Sequence, residues 1–373
     1  MTDNPRFIAF ADEHLGAKLY NIPELEQDNR SLFSQVVDTA IELKVDYLIS
    51  VGDLFDDNEP TSELVDFVRS ELVRLKQAGI KPLAICGDHS KAVHGVTWEK
   101  ICGFENISDG HQSFVGVNYN DNPAVVLEEL NNTLNSRPNN TVRFVFLHAQ
   151  LPELWPFCDD KKKISMKDMD FSNHCESLVG LMLGDIHIRK ETKFFDTNCD
   201  KQIFAGYCGS LGVTASNETN KEGLYYWNGE TLNLIDYELP RKFVRIDVTE
   251  EYLQKVTEQD FAEYTGEANR PVFLCLLHGV NVAGRLDFLY EYGFVKMSRI
   301  KDDSALGAEL INIRSELKTG DRITAVLKEL VKPTSEPDML YDALHRMLGT
   351  EDPKSVLDEL KHKLLEPCTE QEI

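Results

Sequence analysis

The sequence predicts an α/β protein with a large N-terminal domain, a smaller α/β domain behind it and a helical tail. Three features carry that expectation. Short apolar runs alternate with longer amphipathic stretches through the first 240 residues. The hydrophobic (42%) and charged (27%) fractions are those of a folded chain. The pattern then changes character after Leu239-Pro240-Arg241, and the length of 373 residues leaves room for two or three domains.

The elements follow in order. Apolar runs at 7–11, 47–51, 82–86, 142–147 and 178–183 predict strands. Between the first three, 25–43 and 62–78 place Leu32, Val36, Val37 and Ala40, then Leu64, Phe67, Val68, Leu72 and Leu75, at helical spacing. That is the face of a helix lying on a sheet, and Gly79 is placed to close the second helix. After Arg241, runs at 243–248, 272–277 and 294–300 predict three strands, with helices over 250–256 and 283–292. Beyond Lys332-Pro333-Thr334 come amphipathic segments at 337–348 and 353–365, each opening with proline as a first helical turn tolerates.

Composition narrows the function. Lys+Arg 39 against Asp+Glu 63 gives a net charge of −24, which excludes broad adhesion to nucleic acid through surface lysines. If the chain handles a polyanion, bound metal ions, a local basic patch or a basic partner must supply positive charge. No apolar run approaches the ~18 residues of a membrane helix, and Met1-Thr2-Asp3-Asn4-Pro5-Arg6 lacks the layout of a secretory signal. A cytoplasmic protein without membrane contact is expected. The eight cysteines show no CxxC pair and are expected to be reduced thiols.

Each of the five N-terminal runs is followed at once by a residue able to bind a metal: Asp12-Glu13-His14, Gly52-Asp53, Gly87-Asp88-His89, His148, and Gly184-Asp185-Ile186-His187. In an open α/β sheet the carboxyl ends of the strands converge on one crevice, so these side chains should meet. A lone aspartate there could be a turn residue; five such sites in register argue for a shared purpose. Two divalent ions need several carboxylates and imidazoles, with one carboxylate bridging, and such a pair clamps a phosphoryl group and generates hydroxide. The glycines before Asp53, Asp88 and Asp185 fit tight turns out of the strands. His89, beside a ligand, could protonate a leaving oxygen or stabilise charge on phosphate.

In this order, Asp12-x-His14, Gly52-Asp53-x-Phe55-Asp56, Gly87-Asp88-His89, His148 and Gly184-x-x-His187 resemble the motifs of calcineurin-like metallophosphoesterases. Tyr207-Cys208-Gly209-Ser210, Glu222-Gly223-Leu224-Tyr225 and Pro240-Arg241 are similar to the later signature of the SbcD-type DNA repair nuclease subunit. The resemblance covers most of the chain and is most specific over the first 240 residues. It implies a β-sandwich flanked by helices over 1–240, a capping, DNA-binding domain over 241–302, a linker and helix over 303–333, and a helical partner-binding hairpin over 334–373. It also implies a two-metal phosphodiesterase, an exonuclease or endonuclease using Mn²⁺ or Mg²⁺, that serves as nuclease subunit of an SbcCD-like repair and recombination complex. DNA and an SbcC-type coiled-coil ATPase would be its partners. Such subunits pair through helices of the nuclease domain, so a homodimer is implied, with 64–75 one candidate face.

By the same likeness, Asp12, His14 and His187 hold one metal, Asp53 bridges, and Asp88, His148 and Asp185 complete the second. His89 is the catalytic histidine. The family usually has asparagine at Asp88, histidine at Asp185 and aspartate at Ser90. The first two departures each add a negative charge at the second metal, which is expected to weaken Lewis acidity and favour harder ions. Lys161, Lys162 and Lys163 form a run that either contacts DNA phosphates or is a solvated loop. Leu340, Leu344, Met347 and Leu348, then Leu357, Leu360 and Leu364, line one face of each terminal segment, for packing at home or on the ATPase. Two alternatives stay open: a phosphoesterase acting on a nucleotide or phosphoprotein, and a non-catalytic architectural subunit whose second metal site is impaired.

Overall fold

Among the described residues, eleven strands build two sheets. The chain runs through β1 (Phe7–Phe10), β2 (Tyr47–Val51), β3 (Lys81–Ile85) and the short β4 (Glu105–Asn106), then β5 (Phe114–Val117), β6 (Phe144–His148), β7 (Gly180–Gly184), β8 (Lys190–Asp196) and β9 (Lys201–Tyr207). It returns through β10 (Glu222–Trp227) and β11 (Leu232–Tyr237). The first sheet has the order β11-β10-β1-β2-β3-β4 and the second β5-β6-β7-β9-β8. The central strands are parallel, while β10 joins β1, and β8 joins β9, antiparallel. The computed structural model describes residues 4–90, 96–156, 158–196, 199–213, 222–266 and 269–300.

The apolar runs are continuous because each strand is buried on both faces. On one face of the first sheet, Phe7, Ala9, Tyr47, Ile49, Leu83 and Ile85 meet Phe114, Phe144, Phe146 and Met182 of the second sheet. The Phe7 ring packs edge-on against Phe144 at 4.9 Å. On its other face, Ile8, Phe10 and Leu48 meet helices α1 (Pro23–Leu43) and α2 (Ser62–Gln77). The short helices α3 (Trp98–Cys102) and α4 (Ile107–Gly110) precede α5 (Pro123–Ser136), whose Val126, Leu130 and Leu134 cover the outer face of the second sheet. The result is a sandwich of two sheets between helices, as the resemblance implies.

Some expectations change. Leu64, Val68, Leu72 and Leu75 are buried against α1 and the first sheet, so the 64–75 face is not available for pairing two copies. Cys175 and Cys199 form a disulfide, which corrects the expectation of reduced thiols. Their spacing hides this, because the loop after β6 and the β8–β9 turn bring them together only in three dimensions. Of the helix expected over 283–292, one turn, α7 (Leu289–Tyr292), forms, because Ala283 and Gly284 have positive φ and start a turn instead.

Met1–Ser298 is one compact unit. Within it, β12 (Phe243–Val248), β13 (Val272–His278) and β14 (Phe294–Ile300) form a third sheet, with α6 (Glu250–Lys255) beside it and a core of its own around Phe261, Phe273, Cys275 and Leu289. Its other face packs through Val272 and Leu274 on Leu25 of α1. The buried Arg241 fixes this junction: its guanidinium donates to Asp28 Oδ2 at 2.6 Å and Oδ1 at 3.3 Å, and to the Arg270 carbonyl at 2.6 Å. Arg241→Met leaves Asp28 without its partner and is expected to cost about 3 kcal/mol, read as a lower urea midpoint. The segments 303–333 and 334–373, with Leu340, Leu344, Met347, Leu348, Leu357, Leu360 and Leu364, lie outside the described residues.

Candidate metal centre

The crevice lies where the carboxyl ends of β1, β2 and β3 meet those of β6 and β7. Asp12 and His14 follow β1, Asp53 follows β2, Asp88 and His89 follow β3, His148 ends β6, and Asp185 and His187 follow β7. Asp12 (φ 57°), His14 (φ 46°), Asp53 (φ 50°) and Asp185 (φ 89°) all have left-handed backbone, a strained state that persists only where surroundings over-determine it. Those surroundings include Asp12 N–H donating to the Gly52 carbonyl and His14 N–H to that of Asp53, each at 3.1 Å. The Asp185 N–H donates to Asp12 Oδ1 at 3.0 Å, tying the second sheet to the first. Of the three glycines, Gly52 alone has positive φ, at 101°. The others give room: a Cβ on Gly87 would lie 2.1 Å from Asp53 Oδ1, and one on Gly184 2.4 Å from the Val51 carbonyl.

The donors fall into linked groups. In the first, Asp12, His14 and His187, the Nε2 atoms of His14 and His187 are 3.1 Å apart. His14 Nδ1 lies 3.1 Å from Asp56 Oδ1, so it donates there and turns the Nε2 lone pair into the site. In the second, His148 Nδ1 donates to the Val51 carbonyl at 3.0 Å, and Nε2 lies 3.2 Å from both Asp53 Oδ2 and Asp88 Oδ1 and 3.8 Å from Asp185 Oδ1. Asp53 Oδ2 is also 3.9 Å from His14 Nε2, which makes this carboxylate common to both groups. His89 is exposed; its N–H donates to Asp53 Oδ1 at 2.9 Å and its Nδ1 to the Asp56 carbonyl at 2.7 Å, leaving Nε2 available to a substrate.

The electrostatics are those of a site made for cations. Burial pushes the Asp12 carboxyl up. Burial would also raise Asp53, but the charge and hydrogen bond of His148, with help from His14, outweigh it and hold Asp53 below its usual value. His148 is raised well above an ordinary imidazole, because Asp53, Asp88 and Asp12 overcome the desolvation that disfavours its charge. Buried Glu13 is driven well upward, first by desolvation and then by Asp12, and neither of its oxygens has a hydrogen-bond partner among the described residues. Carboxylates and imidazoles with donor atoms within 4.8 Å of one another are the ligand chemistry of divalent ions. A dication would replace the proton that the carboxylates hold on His148.

No protein-family model matches the chain. The DNA double-strand break repair protein Mre11 of Sulfurisphaera tokodaii is 27% identical, over 91% of this chain and 93% of that protein. Its counterpart in Saccharolobus solfataricus is 27% identical over 77% and 78%, and that in Methanococcus maripaludis 24% over 72% and 77%. The chain is similar to these Mre11 proteins over most of its length. Among solved structures, a dimetal phosphatase from Danio rerio aligns with a TM-score of 0.40 and 11% identity, over 62% of this chain and 96% of that one.

In this chain the departures from the usual motifs have visible partners. Lys162 reaches into the centre: its ammonium lies 2.8 Å from Asp88 Oδ2 and is hydrogen-bonded to Asp185 Oδ1. Gln150 Nε2 donates to Asp185 Oδ2 at 2.5 Å. The lysine run is therefore divided, with Lys161 and Lys163 exposed and Lys162 facing inward. The four carboxylates at Asp12, Asp53, Asp88 and Asp185 are offset by one ammonium, which moderates the expected excess of negative charge. Sequence reading missed Gln150 and Asp56, and took Lys162 with its neighbours for a DNA contact or a solvated loop, whereas it faces the centre. Asp56 stands in the quoted Gly52-Asp53-x-Phe55-Asp56 motif and could have been assigned; the other two carry no local signal. The loop at Tyr207-Cys208-Gly209-Ser210 does reach the site, since Ser210 N–H donates to the His187 carbonyl at 3.0 Å.

Ser90, where the family has aspartate, donates from Oγ to buried Glu99 Oε1 at 2.5 Å. Burial pushes Glu99 up to about 7. The unfolded chain then ionises first, so the folded state loses stability as pH rises from the ordinary glutamate range through 7, about 3 kcal/mol when complete. Glu99→Gln removes this penalty. Its melting temperature is expected to exceed that of the unsubstituted protein by several degrees at pH 8 and by little at pH 4.5, and equal shifts at both would refute the buried-acid account.

Proposed function

We propose that the chain is a metal-dependent DNA nuclease, the nuclease subunit of an SbcCD-like repair complex. The observation that carries the chemistry is Asp53, whose Oδ2 stands 3.2 Å from His148 Nε2 and 3.9 Å from His14 Nε2, at the meeting of two donor groups. DNA as substrate rests on the likeness to Mre11 repair proteins over nearly the whole chain. Asp12, His14 and His187 would hold one divalent ion, Asp53 would bridge, and Asp88, His148 and Asp185 would hold the second, with Mn²⁺ or Mg²⁺ as the ions. When bound, such a pair clamps a phosphodiester and supplies hydroxide at neutral pH.

The chain's own residues supply the rest. His89 keeps Nδ1 on the Asp56 carbonyl and offers Nε2 to the phosphate or leaving oxygen, while His14 and His148 are oriented by Asp56 and by the Val51 carbonyl. The domain built on the third sheet, 241–302, would cap the crevice toward DNA, and the exposed Lys161 and Lys163 would meet its phosphates. The segment 334–373 would hold an SbcC-type coiled-coil ATPase, which supplies the positive surface that a net charge of −24 withholds. A homodimer would need a face other than 64–75.

The test is degradation of end-labelled duplex and single-stranded DNA by the full chain in Mn²⁺, in Mg²⁺ and with chelator. Cutting that depends on metal is expected. No cutting in either ion, with or without the ATPase, would favour an architectural subunit, a reading to which the inward-facing Lys162 lends weight.

A further inference from the structure

We propose that Lys162 is a tethered cation occupying the second metal position, so that a divalent ion enters there only by displacing its ammonium. The inference rests on the two-ion reading and concerns what guards one of the ions. Asp88 and Asp185 approach the position from different sheets, and Lys162 joins them, 2.8 Å from Asp88 Oδ2 and hydrogen-bonded to Asp185 Oδ1. The remaining oxygens are also engaged: Asp185 Oδ2 accepts from Gln150 Nε2 at 2.5 Å, and Asp88 Oδ1 faces His148 Nε2 at 3.2 Å. Every carboxylate oxygen that the two departures bring to the centre thus already has a donor of the chain against it. Asp12, in the other group, accepts on both oxygens from the neutral backbone N–H of Asp185, at 3.0 and 3.2 Å.

The lysine is held in place for this. Its carbonyl accepts from Gln150 N–H at 2.8 Å, its N–H donates to the Asp159 carbonyl at 2.9 Å, and Ile164 N–H donates back to the Gln150 carbonyl at 3.0 Å. Gln150 stands two residues after His148, so one short segment leaving β6 carries a metal ligand, the brace on Asp185 and the strand-like partner of the lysine loop. The side chain of Lys162 is only 20% exposed. Asparagine and histidine, usual at these two places, are neutral; with Lys162 between them, Asp88 and Asp185 leave one excess negative charge where the two aspartates alone would add two. An ion carrying two charges can still replace an ammonium carrying one, yet it must break these contacts first. The two positions should therefore differ in affinity, the group at Asp12, His14 and His187 filling before the group at Asp88, His148 and Asp185.

The experiment titrates the full-length protein with Mn²⁺ alone and reads free Mn²⁺ from its paramagnetic resonance signal, with no DNA present. The unsubstituted protein is expected to bind two ions with affinities at least about tenfold apart. Lys162→Met, which keeps the aliphatic stem, should tighten the weaker ion at least about tenfold and leave the tighter one unchanged; Lys162→Arg, which keeps the charge, should preserve the spread. Two ions of equal affinity in the unsubstituted protein overturn the proposal, and that measurement needs no variant to fold. A spread that survives Lys162→Met, or vanishes equally with Lys162→Arg, overturns the proposal while leaving the two-ion centre intact. A second ion missing from both the unsubstituted protein and Lys162→Met would overturn the two-ion reading and this proposal with it.

Discussion

Asp53→Asn is expected to lower metal-dependent DNA cleavage by roughly a thousandfold, about 4 kcal/mol of transition-state stabilisation, while leaving the fold intact. Loss of an outer partner of a metal ligand already costs about 10- to 100-fold, and Asp53 faces both donor groups, so its charge should matter more. Asparagine is a stringent replacement. It tolerates the left-handed backbone at φ 50°, and its side-chain oxygen can keep the hydrogen bond from His89 N–H that Asp53 Oδ1 accepts at 2.9 Å. What it removes is the negative charge on Oδ2. Cleavage rates in Mn²⁺ and thermal melts on the same samples separate the two effects. Activity within tenfold of the unsubstituted protein would rule out Asp53 as the bridge.

Gly52→Ala is expected to cost about 3 kcal/mol or more, combining the ~1–2 kcal/mol of a left-handed alanine with a lost buried hydrogen bond. The new Cβ would sit 2.3 Å from His148 Nδ1, the nitrogen that donates to the Val51 carbonyl, so the imidazole must move and its contact with Asp53 with it. Gly79 supplies the control. Its φ of 80° is also left-handed, but a Cβ there meets nothing within 4 Å. Gly79→Ala should therefore show the backbone cost alone, about 1 kcal/mol. Urea unfolding of both variants isolates the part due to crowding the imidazole, and equal losses would mean that the close approach is relieved cheaply.

The central strands were readable because burial on both faces leaves an uninterrupted apolar run, and the ligands because each stands where such a run stops. β8 was not, since its edge position permits Lys190, Glu191 and Lys193 along a half-exposed strand. β5 was missed because it has four residues, one of them glycine. The apolar stripe of α2 was correctly seen, but a stripe does not say what covers it, and α1 does. At the site, side-chain types after strands foretold the convergence of Asp12, Asp53, Asp88, His148 and Asp185. The inward turn of Lys162 could not be foretold, because it depends on the pairing of its loop with Gln150, and a run of three lysines looks the same whichever way the middle one points.

The tie between Asp185 N–H and Asp12 spans 173 positions, and it joins two sheets, the first begun by β1 to β4 and completed by β10 and β11 only after the second has been made. During synthesis the first stretch emerges with Asp12, His14, Asp53, Asp88 and His89, while His148, Asp185 and His187 are still to come. Neither half owns a complete ligand set, so a chain caught midway, or one whose halves have folded without docking, carries the parts of a cutting centre but no working edge. The order of the gene thus withholds hydrolytic capacity until the sandwich has closed, and truncation before residue 187 should yield an inert fragment that also lacks β10 and β11 of the first sheet.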